Sequence, residues 1–139
     1  MSAAQAILIM GGMFNLMFST IAAFLLYWVR LRNPAEPVAH YGLITHTSSV
    51  TNGMLLLTLA LAIQYTSFTP AINTGLAVAE VIATLLTNGR NLRFWYEGID
   101  DSFRQTSELE RRLRGLANTI NLVVMSSIFY GVIRTVLGF

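Results

Sequence analysis

Two stretches of this chain contain no Asp, Glu, Lys or Arg: Met1 to Val29, and Pro37 to Ala79, where His40 and His46 are the basic side chains. A buried helix of a soluble domain needs far less apolar length than either, whereas a bilayer core takes about 20 helical residues to cross. The 139 residues are 54% hydrophobic and 12% charged, a balance displaced from soluble averages toward membrane proteins. The first stretch lacks a basic leading segment and is too long for the apolar part of a signal peptide, so it is expected to be a retained span.

Four segments qualify as spans in one all-α domain, an integral membrane four-helix bundle. The first covers about residues 7–29, closes on the interfacial pair Tyr27 and Trp28, and is stopped by Arg30, Arg32 and the helix-breaking "NPAEP" at 33–37. The second covers about 42–65. The turn "QYTSFTP" at 64–70 separates it from a third at about 71–92, with Pro70 suited to a helix start. The fourth covers about 116–136, and "SELE" at 107–110 matches a capping box that would start its helix outside the membrane at Ser107.

The distribution of charge predicts orientation. Arg30 and Arg32 lie in the first loop and six arginines between residues 90 and 115, while the second loop is uncharged and the termini carry Arg134. Positive residues favour the cytosol, which puts loops one and three there and both termini on the opposite side. The nine basic residues are all arginine, so lysine Schiff-base chemistry is excluded, and the absence of cysteine excludes disulfides and thiolate nucleophiles or ligands. Loop placement accounts for the net charge of +2, with no pattern that points to nucleic acid.

Polar groups within spans are costly and tend to face a bundle interior or a site. On the third helix Glu80, Thr84, Thr87, Asn88 and Asn91 recur mostly at spacings of three and four, forming one stripe that cannot face lipid. The Thr and Asn residues read equally as hydrogen bonds across a helix seam. Glu80, between Ala79, Val81 and Ile82, is pressed to find a cation or keep its proton, and so marks a candidate site; in a purely structural role it would bond a backbone carbonyl or Asn15 of the first helix. His46 and Asn52 are six residues apart, ~9 Å of rise and about 120° around a helix, so one small ligand on one face cannot touch both. A site using both needs a wide cofactor or a second subunit. His40, at the entry to the second helix, reads as a solvated loop histidine.

The string His46, Thr47, Ser48, Ser49, Val50, Thr51, Asn52, Gly53, Met54, followed by "LLLTLALAI", resembles the second-helix motif of styrene oxide isomerase and the related hydroxylaminobenzene mutases, in which a histidine precedes an Asn-Gly pair by six positions. Chain length and four spans agree. The resemblance implies an oligomeric four-helix membrane bundle with haem b between subunits, His46 as axial iron ligand, Asn52 at the substrate face, and an apolar epoxide from the bilayer rearranged to a carbonyl product with iron as Lewis acid. The third helix departs from that family: it has no tyrosine until Tyr96, and Asn88 or Asn91 occupies the matching position.

Two other readings use Glu80: acid-catalysed epoxide opening or cyclisation without haem, and transport in the manner of small multidrug resistance proteins, which also have four short helices and a membrane carboxylate but carry it in the first helix. A structural or assembly subunit would explain the seams and leave Glu80 and the His-to-Asn string without purpose.

Overall fold

The computed structural model describes residues 1–139 apart from Glu36, Phe103 and Phe139. Glu36, within the expected helix-breaking stretch, therefore lies outside the described residues. Four helices form, each long and apolar enough to cross a membrane: α1 Ala3–Arg32, α2 His40–Ala62, α3 Pro70–Glu97 and α4 Glu108–Leu137. A short 3-10 turn, Ile63–Tyr65, extends α2.

Each helix end has a local cause. α1 starts earlier than hydropathy suggests because Ser2 and Gln5 form a reciprocal capping box, Gln5 N–H donating to Ser2 Oγ at 3.2 Å and Ser2 N–H to Gln5 Oε1 at 2.9 Å. α3 begins with Pro70 at its first position, and the Thr69 side chain accepts from Ile72 N–H. It stops at Gly98, whose φ of 65° is the left-handed conformation that glycine adopts without steric penalty. α4 begins on the expected Ser107–Glu110 capping box. α3 continues to Glu97, beyond the apolar segment, and its last turns are held from two sides. Arg93 pairs with Glu97 at 2.7 Å and with Glu110 of α4 at 2.6 Å. Phe94 is fully buried, with Tyr41 of α2 edge-on at a centroid distance of 5.0 Å.

α1, α2 and α3 pack mutually, and α4 lies chiefly against α3 and the 3-10 turn. The interior divides into two halves along the helix axes. Near the two termini it is apolar, with Leu8, Leu56, Ile63, Ala77, Val124 and Ile128 drawn from every helix and the 3-10 turn. Toward loops one and three it is polar: Asn15, Ser19, Thr45, Ser49, Thr84, Asn88 and Asn91 are all buried. Thr45 and Ser49 satisfy their hydroxyls on their own helix, donating to Tyr41 O at 2.6 Å and Thr45 O at 2.7 Å. Outward-facing positions are rich in large apolar side chains, among them Met10, Met13, Phe24, Leu61, Leu122 and Phe129. This inverts the surface of a soluble bundle.

The close approach of α1 and α2 depends on two glycines. A Cβ at Gly53 would stand 2.8 Å from Leu16 Cγ and 3.1 Å from the main-chain oxygen of Gly12, and one at Gly12 would meet Leu57 Cγ at 2.9 Å and Gly53 O at 3.1 Å. Backbone cannot move aside as a flexible side chain can, so Gly53→Val must separate the helices. The expected loss is about 1–3 kcal/mol, the usual cost of overpacking. Gly89 has open space around its Cβ position, so Gly89→Ala is expected to be neutral or to stabilise by up to about 1 kcal/mol through helix propensity. Thermal melts in detergent compare the two, and equal stability would contradict the packing argument.

Candidate functional site

Three polar clusters occupy the helix seams, and each combines residues that hydropathy could not pair. The first joins α1 to α2 at His46. Its Nδ1 lies 2.8 Å from Ser19 Oγ and 3.1 Å from Ser19 O, and Ser19 Oγ also donates to the main-chain oxygen of His46 at 3.2 Å. One proton arrangement satisfies all three contacts. With the proton on Nδ1, the ring donates toward both Ser19 oxygens and the hydroxyl proton goes to the carbonyl of His46. Without it, Nδ1 and Ser19 O would face each other as two acceptors. In the neutral ring this arrangement leaves the free lone pair on Nε2. The imidazole is half-buried, and Leu43 and Val50, three residues before and four after it, are exposed on the outer face of α2.

The second cluster is a chain of amides through three helices. Asn52 Nδ2 of α2 donates to Asn88 Oδ1 of α3 at 3.1 Å, Asn88 Nδ2 donates to Asn15 Oδ1 of α1 at 2.5 Å, and Asn15 Nδ2 donates to the carbonyl of Gly11 at 2.8 Å. One turn further along, Asn91 Nδ2 donates to Ser48 Oγ of α2 at 3.0 Å and Arg90 Nη2 donates to Asn91 Oδ1 at 3.1 Å.

The third cluster joins α3 to α4. Glu80 is 0% exposed, and its Oε1 accepts from Asn121 Nδ2 at 2.9 Å, while Oε2 is buried without a hydrogen-bond partner among the described residues. The structural partner foreseen for Glu80, Asn15 or a backbone carbonyl, is thus replaced by an amide of the fourth helix. Asn15 is committed to Asn88 instead.

The predicted stripe on α3 is buried as expected, with Glu80, Thr84, Asn88 and Asn91 no more than 3% exposed, but it serves two seams. Asn88 and Asn91 face α1 and α2, and Glu80 faces α4. Thr87 lies at its edge, donating to Ala83 O and lining an α3/α4 groove. His46 and Asn52 lie on different seams, in keeping with their angular separation on α2. His40 opens α2 as an exposed side chain with its ring edge-on to Tyr41. Two surface cavities, of about 410 Å³ and about 100 Å³, are lined by none of His46, Asn52, Glu80, Asn88 or Asn91.

Ser19, Ser48 and Asn121 are the site residues that sequence reasoning missed. Asn121 had a signal: with Asn118 it places two amides three residues apart in an apolar helix. Serines in helices commonly bond their own backbone, as Ser49 does here, so Ser19 carried none and Ser48 stood out only as part of the string from His46 to Met54.

No protein-family model, curated protein or solved structure matches this chain.

Glu80 yields a direct prediction. Glu80→Gln keeps an acceptor for Asn121 and replaces a buried, unpartnered oxygen by an amide of the same shape. Stability is expected to stay within about 0.5 kcal/mol of wild type, as for a substitution that creates neither cavity nor charge. Asn121→Leu strips Oε1 of its donor and is expected to cost about 1–3 kcal/mol. Chemical denaturation in mixed micelles measures both, and a strongly destabilised Gln variant would show that the carboxyl has a partner of its own.

Proposed function

We propose that this chain is a multi-pass membrane isomerase that holds haem b on His46 at an interface between copies and rearranges an apolar aryl epoxide to a carbonyl product. Loops one and three lie in the cytosol in this reading, with the termini opposite. The observation that carries it is the tie between His46 Nδ1 and Ser19, which leaves Nε2 as a lone-pair donor of fixed orientation. Histidines that ligate metals are held in this way, the second ring nitrogen donating to a carbonyl or carboxylate.

The donor set agrees with haem rather than with a bare ion. Among the described residues no group of three or more His, Cys, Asp or Glu side chains gathers to hold a metal, whereas a porphyrin brings four nitrogens and asks the protein for one or two axial ligands. Bound haem would supply a Lewis-acidic iron for the epoxide oxygen. The chain's own residues do the rest. Leu43 and Val50 flank His46 with apolar surface that would exclude water once covered, and the exposed position of that face of α2 is what supports a site between subunits. Asn52, Asn88 and Asn91 act as positioning residues that fix α2 against α3 and α1, and hence the direction of the imidazole.

The readings built on Glu80 as an acid or as a transport site find less support, because the side chain is wholly enclosed, whereas His46 is only half-buried. The test is turnover of an aryl epoxide by protein in mild detergent: wild type and His40→Ala are expected to convert it, and His46→Ala to lose at least 100-fold, about what loss of one strong catalytic contact costs. Full activity in His46→Ala would overturn the reading, and full activity in a monomeric wild type would remove the interface from it.

A further inference from the structure

The α3/α4 groove has a composition that the isomerase reading does not use. Its lining is mostly apolar, with Ile82 and Leu86 of α3 and Leu113 of α4, and its charged residues are Arg90, Arg93, Arg114 and Glu110, the last paired with Arg93. From Arg90 to Ile82 the groove follows α3 for ~12 Å. Its volume, about 410 Å³, is that of a small-ligand site. Arg93 is occupied by Glu97 and Glu110. Arg90 has only neutral partners, Asn91 Oδ1 at 3.1 Å and the Phe94 ring at 5.9 Å, with no carboxylate partner and no acceptor for its buried Nε among the described residues, and the charge of Arg114 bears on it. Half-burying one guanidinium beside another costs free energy that an anion would offset.

Both arginines also stand at a particular depth. Arg90 lies about two turns before the end of α3 and Arg114 about two turns after the start of α4, at the edge of the apolar segments. Headgroup phosphates lie at that level when such helices cross a bilayer. We infer that the groove binds an anionic phospholipid, its phosphate between Arg90 and Arg114 and one acyl chain along Ile82, Leu86 and Leu113. The site rests on the membrane placement proposed above, and on neither haem nor isomerase activity.

The test is native mass spectrometry of detergent-solubilised protein offered equal amounts of phosphatidylglycerol and phosphatidylcholine with the same acyl chains. The wild type is expected to retain phosphatidylglycerol preferentially, with a factor of about five contributed by each arginine. Arg90→Gln should lose one such factor and Arg90→Gln/Arg114→Gln the whole preference, while Arg30→Gln/Arg32→Gln, an equal change of charge in the last turn of α1, should keep it. Leu86→Trp leaves every arginine in place and fills the groove, so it should lower retention of both lipids; it also tests the site if the double arginine variant misfolds. Excess free glycerol phosphate should not displace the lipid. Equal retention of the two lipids by the wild type, a preference that survives the double arginine change, or displacement by glycerol phosphate would each overturn the site. A second copy in the groove would appear as a dimer that Leu86→Trp splits, without lipid preference, and would overturn it too. Protein that stays dispersed and monodisperse after detergent removal would instead remove the membrane placement, and the site with it.

Discussion

Asn88→Leu is expected to destabilise the bundle by roughly 1–3 kcal/mol, although leucine is the more apolar residue and the better helix former. The loss comes from the partners left behind. Asn88 both accepts from Asn52 and donates to Asn15, and Asn15 is 0% exposed, so its Oδ1 is left in an interior with no water to replace the lost donor. Asn52 is half-buried and recovers part of its loss from its surroundings. Single interhelical hydrogen bonds in membranes average only about 0.6 kcal/mol, because the separated helices find other partners. An amide bonded to two helices at once has fewer such alternatives. A double-mutant cycle separates the effects: Asn15→Ala and Asn88→Ala together should cost less than the sum of the two singles, with a coupling of about 0.5–3 kcal/mol. Additive losses, or an Asn88→Leu variant as stable as wild type, would mean that the amide chain does not hold the helices.

The four long apolar helices were legible because the apolar run length that could cross a membrane is set by one physical quantity, the thickness of hydrocarbon. Their ends were less so. Hydropathy is silent about polar turns that continue a helix, and α1 reaches back to Ala3 through the Ser2–Gln5 box while α3 reaches on to Glu97 through Arg93 and the buried Phe94. At the capping box of Ser107 and at Pro70, where the signal is local, the expected and observed starts agree.

The stripe on α3 was legible as a buried face because helical periodicity is a property of one helix. Its partners depend on how neighbouring helices rotate and slide, which no single segment encodes. That is why Glu80 found Asn121 rather than Asn15, and why the seam of Ser19 with His46 had no forerunner in the sequence. Gly53 shows the same limit. As a sequence feature it was half of an Asn-Gly pair; its role in packing appears only once Gly12 of α1 stands opposite.

His46→Ala is expected to have the largest chemical effect of any single change. Removing the imidazole removes the proposed axial ligand outright, and none of Asn52, Asn88 and Asn91 could substitute, since amides are poor iron ligands and all three are engaged in helix seams. Ser19→Ala acts through the ring's orientation: it takes away one of the two oxygens that hold Nδ1 but leaves the Ser19 carbonyl that sets the tautomer, so it should weaken haem retention by about 10-fold, the low end of the effect of losing a partner that orients a metal ligand. His40→Ala should leave haem binding unchanged. Absorption spectroscopy of the purified chains, with haem quantified per polypeptide, reads all of these at once. The account predicts a Soret band in wild type and His40→Ala, a reduced band in Ser19→Ala, none in His46→Ala, and its return when free imidazole is added to His46→Ala during haem loading; no Soret band in wild type, or equal haem in wild type and His46→Ala, would contradict it.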